Sequence, residues 1–199
     1  MTRLAVFAKP PRAGKVKTRL IPDLGADGAA IVYRHCLQHA IGIAGNAGVE
    51  YRIYLSEADE DPLFQMHPIG YQRGSDLGER MLNALTEMLE QAPDGAIIVG
   101  TDCLDLETSH ITAAKRALVD HELVLLPAID GGYALIGCRI IDRALFDRVS
   151  WSTAEVLKQT MANANKLGYR TYLLETVRDI DTLQDMEHYP ELIDLVSPG

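Results

Sequence analysis

The sequence predicts an α/β layer fold with a mainly parallel sheet, and three observations carry that expectation. Leu4, Ala5, Val6, Phe7 and Ala8 form an uninterrupted apolar run, the pattern of a strand buried on both faces. The stretch 96–100 repeats it, again with no polar alternation. Beyond these runs, strand-like and helix-like segments largely alternate, which favours right-handed crossovers and ligand binding at the carboxyl ends of the strands.

The first strand leads into a loop holding Pro10, Pro11 and Gly14. From 27 to 46, Ile31, Val32, Cys36, Leu37, Ala40 and Ile43 recur at helical spacing, and Gly45 and Gly48 supply a stop. A strand over 51–55 follows, then a segment to 67 that reads as helix and turn, and a short strand over 69–72. The helix over 76–91 places Met81, Leu82, Leu85, Met88 and Leu89 on one stripe, with Asp76 near its positive end. A helix over 109–119, strands over 123–126 and 133–137, a helix over 153–166 and a strand over 171–174 complete the pattern. Trp151, Ser152 and Thr153 mark the packed start of that last helix, and no internal repeat is present.

At 199 residues the chain is expected to form one domain, 1–199, with room for a full core. Its 47% hydrophobic and 24% charged residues are ordinary for a globular protein. A formal net charge of -9 argues against binding nucleic acid, because affinity for a phosphate backbone needs a basic face. The cations are nonetheless uneven: Arg3, Lys9, Arg12, Lys15, Lys17 and Arg19 fall within the first twenty positions, as expected of a local anion site. Cys36, Cys103 and Cys138 lie far apart, with no C-x-x-C pair and no zinc spacing, so buried thiols in a reducing compartment are expected. The six His form no metal motif. No stretch reaches membrane-spanning length, and a cytoplasmic location is expected.

The segment after the first strand, from Phe7 to Leu20, is the strongest functional signal. Backbone N–H groups of a Gly-bearing loop and several cations together match a polyphosphate. A Walker A loop is excluded, since G-x-x-x-x-G-K-S/T needs Gly where Lys9 stands and a hydroxyl where Val16 stands. Gly131-Gly132 precedes a strand and does not open a helix, so it is no dinucleotide fingerprint.

Asp102 and Asp105 follow the buried strand that ends at Gly100, where hard oxygen ligands suit Mg²⁺. Asp105 is read equally well as a cap of the next helix. Asp130, before two glycines, is positioned to orient or deprotonate an acceptor, or else to close a tight hairpin turn. Ordinary helix capping accounts for the two remaining segments, 74–81 and 179–185.

Taken in order, these segments resemble the nucleotide-diphospho-sugar transferase superfamily with its single-domain GT-A fold, a Rossmann-like three-layer α/β/α arrangement. This superfamily includes guanylyltransferases of the molybdenum-cofactor and phospholactate type. The nearer resemblance is to small bacterial glycosyltransferase-A-like proteins, some linked to arsenosugar biosynthesis. It rests on F-x-K-x-P-x-x-G-x-V-K-T-R-L over 7–20, G-T-D-C-P-x-L over 100–106, D-G-G-Y-x-L-I-G over 130–137, the Trp-Ser-Thr segment and D-I-D-T-x-x-D over 179–185. Leu104 stands where that group has Pro, and Leu183 where related nucleotidylyltransferases have Pro.

The resemblance implies that Lys9, Gly14, Lys17, Thr18 and Arg19 cradle nucleotide phosphates, and that Gly74, Asp76, Gly78 and Arg80 help hold the nucleotide. It makes Asp102 the main ligand of Mg²⁺ or Mn²⁺, with Asp130 facing metal or acceptor and Asp181 as a further metal or nucleotide contact, beside the Asp105 candidate that its own position supplies. Asp102, Asp130 and Lys17 are the expected catalytic residues. The expected partners are a nucleotide or nucleotide-sugar donor and a small-molecule acceptor. Two reactions fit: glycosyl transfer from a nucleotide sugar, and transfer of NMP from an NTP to a phosphorylated acceptor. A nucleotide-binding protein without turnover is the third reading.

Overall fold

The computed structural model describes residues 1–196. Its strands are β1 (Thr2–Ala8), β2 (Glu50–Leu55), β3 (Ile69–Tyr71), β4 (Gly95–Val99), β5 (Leu123–Pro127), β6 (Tyr133–Cys138) and β7 (Thr171–Leu173). Its helices are α1 (Ile21–Asn46), α2 (Leu77–Gln91), α3 (Thr108–Ala117), α4 (Val156–Lys166), α5 (Leu183–Met186) and α6 (Pro190–Val196). The strands form one sheet in the order β3-β2-β1-β4-β6-β5-β7. All neighbours are parallel except β6, which runs opposite to both β4 and β5.

That exception has a simple cause. The link between β5 and β6 is too short for a crossover, so the pair must form a hairpin, whereas parallel neighbours need a long connection. The turn is therefore brought to the same sheet edge as the ends of β1 and β4. The expected mainly parallel α/β layers are present, with this one strand reversed.

The absence of polar alternation in β1 and β4 follows from helices covering both faces. Leu4, Val6, Ile97 and Val99 pack with Leu37 of α1 and Ile111 of α3. Ala5, Ala96 and Ile98 pack with Met81, Leu85 and Met88 of α2 and Ala164 of α4. Each buried aliphatic side chain contributes about 1.5–3 kcal/mol relative to exposure. A third cluster joins Leu20, Val32 and Cys36 to Ile180, Met186 and Leu192, which docks the C-terminal helices on α1.

The first helix starts earlier than its apolar spacing indicates, at Ile21, and is broken at Gly25, whose φ of 71° only glycine adopts freely. The segment before β3 holds only a 3₁₀ turn, Pro62–Phe64. Asp76 is the N-cap of α2, its carboxylate accepting from Glu79 N at 2.8 Å. All three cysteines are buried and unpaired, and burial pushes the thiols of Cys36 and Cys103 up to about 11 and about 12. Among the described residues, no helix is long and apolar enough to cross a membrane.

Candidate functional site

A cleft of about 690 Å³ opens at the carboxyl ends of β1, β4 and β5. It is entered from one side by the loop after β1, which contributes Lys9, Lys17, Thr18 and Arg19 to the lining. Tyr33 of α1 anchors this loop. Its buried hydroxyl accepts from Lys9 N at 2.8 Å and lies 3.0 Å from Lys9 O, to which it donates. Thr101 Oγ1, next to Asp102, donates to the same oxygen at 3.4 Å. Burial pushes the Tyr33 hydroxyl up to about 12, so the donor persists across neutral pH. One phenol thus ties the loop after β1 to the loop after β4, a role that no motif in the sequence signals.

Lys17 departs from expectation. Its backbone is in the left-handed region at φ 44°, a strained position for a side-chain-bearing residue. Its side chain is only 3% exposed, and the ammonium contacts the Asp102 carboxylate, Ile180 O and, at 3.4 Å, Asp181 Oδ1. Burial acts to lower its pKa, but the attraction of Asp102 and Asp181 outweighs that and raises it. Lys17 is therefore a charged internal clamp. Arg19 reaches Asp181 Oδ2 at 2.8 Å while staying largely exposed, and Lys9 is exposed with no carboxylate partner among the described residues. Arg12 leaves the cation set, since it pairs with Asp59 at 2.6 Å and Glu57 at 3.3 Å, away from the cleft.

The carboxylates regroup as well. Asp130, Asp179 and Asp181 place oxygens within 4.8 Å of one another. Asp130 comes from the β5–β6 hairpin turn, where its Oδ1 accepts from Gly132 N at 2.7 Å, so the hairpin and the functional readings both hold at one residue. Burial, reinforced by the charges of Asp130 and Asp181, raises the pKa of Asp179. Asp181 shares its charge with Arg19 and Lys17, whereas Asp130 and Asp179 have no cationic side-chain partner among the described residues, and three oxygen donors this close fit a hard divalent cation. Asp179 was not singled out from sequence, although its spacing to Asp181 in D-I-D puts both on one side of an extended segment.

Asp102 lines the cleft but stands outside this group, held by Lys17. Its backbone carbonyl accepts from Ile180 N at 2.8 Å, which seats the acidic segment against the end of β4. Asp105 is neither a member of the group nor a helix cap. Its carboxylate accepts from Arg178 N at 3.0 Å and Tyr189 Oη at 2.8 Å, and Glu107 caps α3. Both oxygens are thus committed to holding the C-terminal segment.

The expected nucleotide contacts on α2 divide. Arg80 lines the cleft, with its Nε donating to Gly74 O at 3.2 Å. Gly74, Asp76 and Gly78 do not line it: Asp76 is a cap, and Gly74 has φ 144° with a Cβ position 2.7 Å from Arg80 N. Gly78 is a seat for Trp151, whose indole lies 2.7 Å from where a Cβ would be. Gly14 shapes the loop at φ 77° without lining the cleft.

The model of DUF2064, described as uncharacterized proteins conserved in bacteria, matches residues 35–153. A crystal structure from Desulfovibrio desulfuricans G20, assigned as a nucleotide-diphospho-sugar transferase, superposes with a TM-score of 0.87 at 30% identity, over 93% of this chain and 84% of that one. The chain belongs to DUF2064, within the nucleotide-diphospho-sugar transferase superfamily. Fold likeness extends to CMP:2-keto-3-deoxy-manno-octonic acid synthetase complexed with CTP, with a TM-score of 0.56 at 11% identity over 97% of this chain and 98% of that one. It also extends to Rv0371c from Mycobacterium tuberculosis H37Rv in complex with manganese, with a TM-score of 0.50 at 13% identity over 96% and 97%. No curated protein matches the sequence.

Proposed function

We propose that this DUF2064 member is a metal-dependent transferase that takes a nucleotide sugar as donor and passes the glycosyl group to a small acceptor. The observation that carries the reading is that one cleft is lined by both charge sets, the loop cations Lys9 and Arg19, the latter paired with Asp181, and the carboxylates Asp130, Asp179 and Asp181. Cations alone suit an anion store, whereas a carboxylate group beside them would hold a divalent cation whose charge offsets that of phosphates. When bound, a divalent cation supplies positive charge where the leaving diphosphate gains negative charge.

The chain's own residues do the rest. Lys9 and Arg19 hold the diphosphate, with Thr18 beside them. The acceptor hydroxyl oxygen bonds to the anomeric carbon, the bond from that carbon to the diphosphate oxygen breaks with its electron pair, and the hydroxyl proton passes to Asp130. Gly132 N donates to Asp130 Oδ1, so Oδ2 takes the proton, and Asp179 and Asp181 would then hold the cation. Lys17 and Asp102 position this machinery without contacting substrate.

The fold shared with the CTP-bound synthetase favours a second reading, in which an acceptor phosphate attacks the α-phosphate of an NTP and pyrophosphate leaves. Calorimetry with nucleoside triphosphates and nucleotide sugars, with and without Mn²⁺, tests binding. Mass spectrometry of the products then separates free nucleoside diphosphate from pyrophosphate. Affinity that ignores Mn²⁺ for every nucleotide tried would rule out the metal-dependent reading.

A further inference from the structure

Asp181 is the one member of the carboxylate group with cationic side-chain partners among the described residues, and its two oxygens are divided between them. Oδ1 lies 3.4 Å from Lys17 Nζ, and Oδ2 accepts from Arg19 Nη1 at 2.8 Å. The backbone around it is pinned, since Ile180 N donates to Asp102 O at 2.8 Å and Asp181 N donates to Asp185 Oδ2 at 3.1 Å. Asp181 is therefore claimed from two sides, by the loop cations and by the cluster it forms with Asp130 and Asp179.

The two cations differ in their freedom to let go. Lys17 is sealed in, with a side chain 3% exposed that also contacts Asp102 and Ile180 O. Arg19 is 63% exposed, and Asp181 is its one ion-pair partner among the described residues. Leu20 beside it is fully buried in the cluster that docks the C-terminal helices, so the backbone is fixed and only the Arg19 side chain is left to turn. Oδ2 is thus the oxygen that can be given up, and Arg19 the partner that can leave. A divalent cation on Oδ2 and a guanidinium 2.8 Å from the same oxygen repel as like charges. An exposed ion pair is worth a factor of only about two to five, so it yields to a doubly charged ligand. Once released, Arg19 brings unpaired N–H donors to the cleft that Lys9 also lines.

We infer that Asp181 masks Arg19, and that a divalent cation taking Asp181 unmasks it for the donor phosphates, so that cation and phosphate binding are positively coupled through this one carboxylate. This rests on the metal-dependent reading and deepens it: the apo cleft guards itself against anions, and its phosphate grip is completed only when the cation is in place. By linkage, whatever phosphate gains from the cation, the cation gains from phosphate.

Two titrations of the full chain test the mask. In metal-free buffer, calorimetry with inorganic pyrophosphate compares wild type, Asp181→Asn, Arg19→Ala and the double variant. Asp181→Asn should bind pyrophosphate about fivefold more tightly than wild type, and the gain should vanish when Arg19 is also removed. A gain that persists in the double variant would mean that loss of negative charge alone is responsible, and no gain at all would mean that Arg19 is not masked; either overturns the inference. The second titration uses Mn²⁺ alone and needs only the exposed Arg19→Ala change, so it stands even where Asp181→Asn does not fold. Removing the competitor for Asp181 should tighten Mn²⁺ binding about threefold, and equal or weaker binding than wild type would again overturn the inference. Wild type that binds no Mn²⁺ would instead remove the metal-dependent reading, and the coupling with it.

Discussion

The ammonium of Lys17 is held against the carboxylate of Asp102, with the lysine side chain 3% exposed and the aspartate side chain 54% exposed. The pair is asymmetric: one partner is sealed inside and the other faces the cleft. Removing the sealed partner leaves Asp102 and Asp181 without their internal counter-charge.

Lys17→Ala should therefore reduce stability as well as nucleotide affinity. A fully buried pair broken on one side costs about 3–5 kcal/mol, and the exposure of Asp102 brings the expected loss to about 2 kcal/mol. In a chain of this length that lowers Tm by roughly 4–8 °C. A variant with unchanged Tm in scanning calorimetry would show that the clamp carries no stability.

Lys9→Ala should behave in the opposite way. The side chain is exposed, lines the cleft and has no carboxylate partner among the described residues, so Tm should stay unchanged. Loss of one charge-assisted phosphate contact should weaken nucleotide binding about tenfold. Calorimetric titration of both variants separates the loop's contact cation from its structural one, and equal nucleotide affinity in Lys9→Ala and wild type would take Lys9 out of the phosphate site.

Asp179→Asn should raise stability in the absence of metal and abolish stabilisation by Mn²⁺. The folded-state pKa of Asp179 is raised, so between that value and the ordinary carboxylate range the folded chain binds more protons than the unfolded chain. This group therefore costs stability at neutral pH, and the cost fades as pH falls through the raised pKa. The wild type should close the gap in Tm to the Asn variant on acidification. A gap that stays constant from pH 7 to pH 4 would contradict the assignment.

Gly131→Ala should be among the most damaging small substitutions in the chain. The residue has φ 88°, and the added Cβ would meet the Ala154 carbonyl at 2.3 Å. Backbone strain and the displaced Ala154 backbone together predict a loss of about 2 kcal/mol or more, read from urea midpoints. Gly14→Ala is the control, since it shares a positive φ but has nothing within 4 Å of the new carbon.

What could be read from the sequence was whatever depends on local pattern. β1 and β4 stood out because helices cover both of their faces, and the start of α2 because Asp76 caps it within three residues. The loop cations and Asp130 were found by type and by position at strand ends. What escaped depends on partners distant in the chain. Asp105 looked like a ligand or a cap, yet its partners are Arg178 and Tyr189, 73 and 84 residues away. Lys17 looked like an exposed phosphate contact until the docking of the C-terminal helices on α1 buried it. Helix capping accounts for the acidic run from Asp179 by local pattern, and Asp185 does serve that way with Thr182, so the pattern hides Asp179, while Asp181 is named through the resemblance alone.

The Lys17 ammonium meets Asp181 across 164 residues of chain. During synthesis the loop after β1 leaves the ribosome ahead of its acidic counterpart by that whole length. A nascent chain that has emerged through β6 already carries the loop cations, Asp102 and Asp130, but lacks two of the three clustered carboxylates. The three-carboxylate cluster cannot assemble until Asp181 has emerged, so a product that ends before Asp179 would lack the proposed cation site however well its earlier strands had folded.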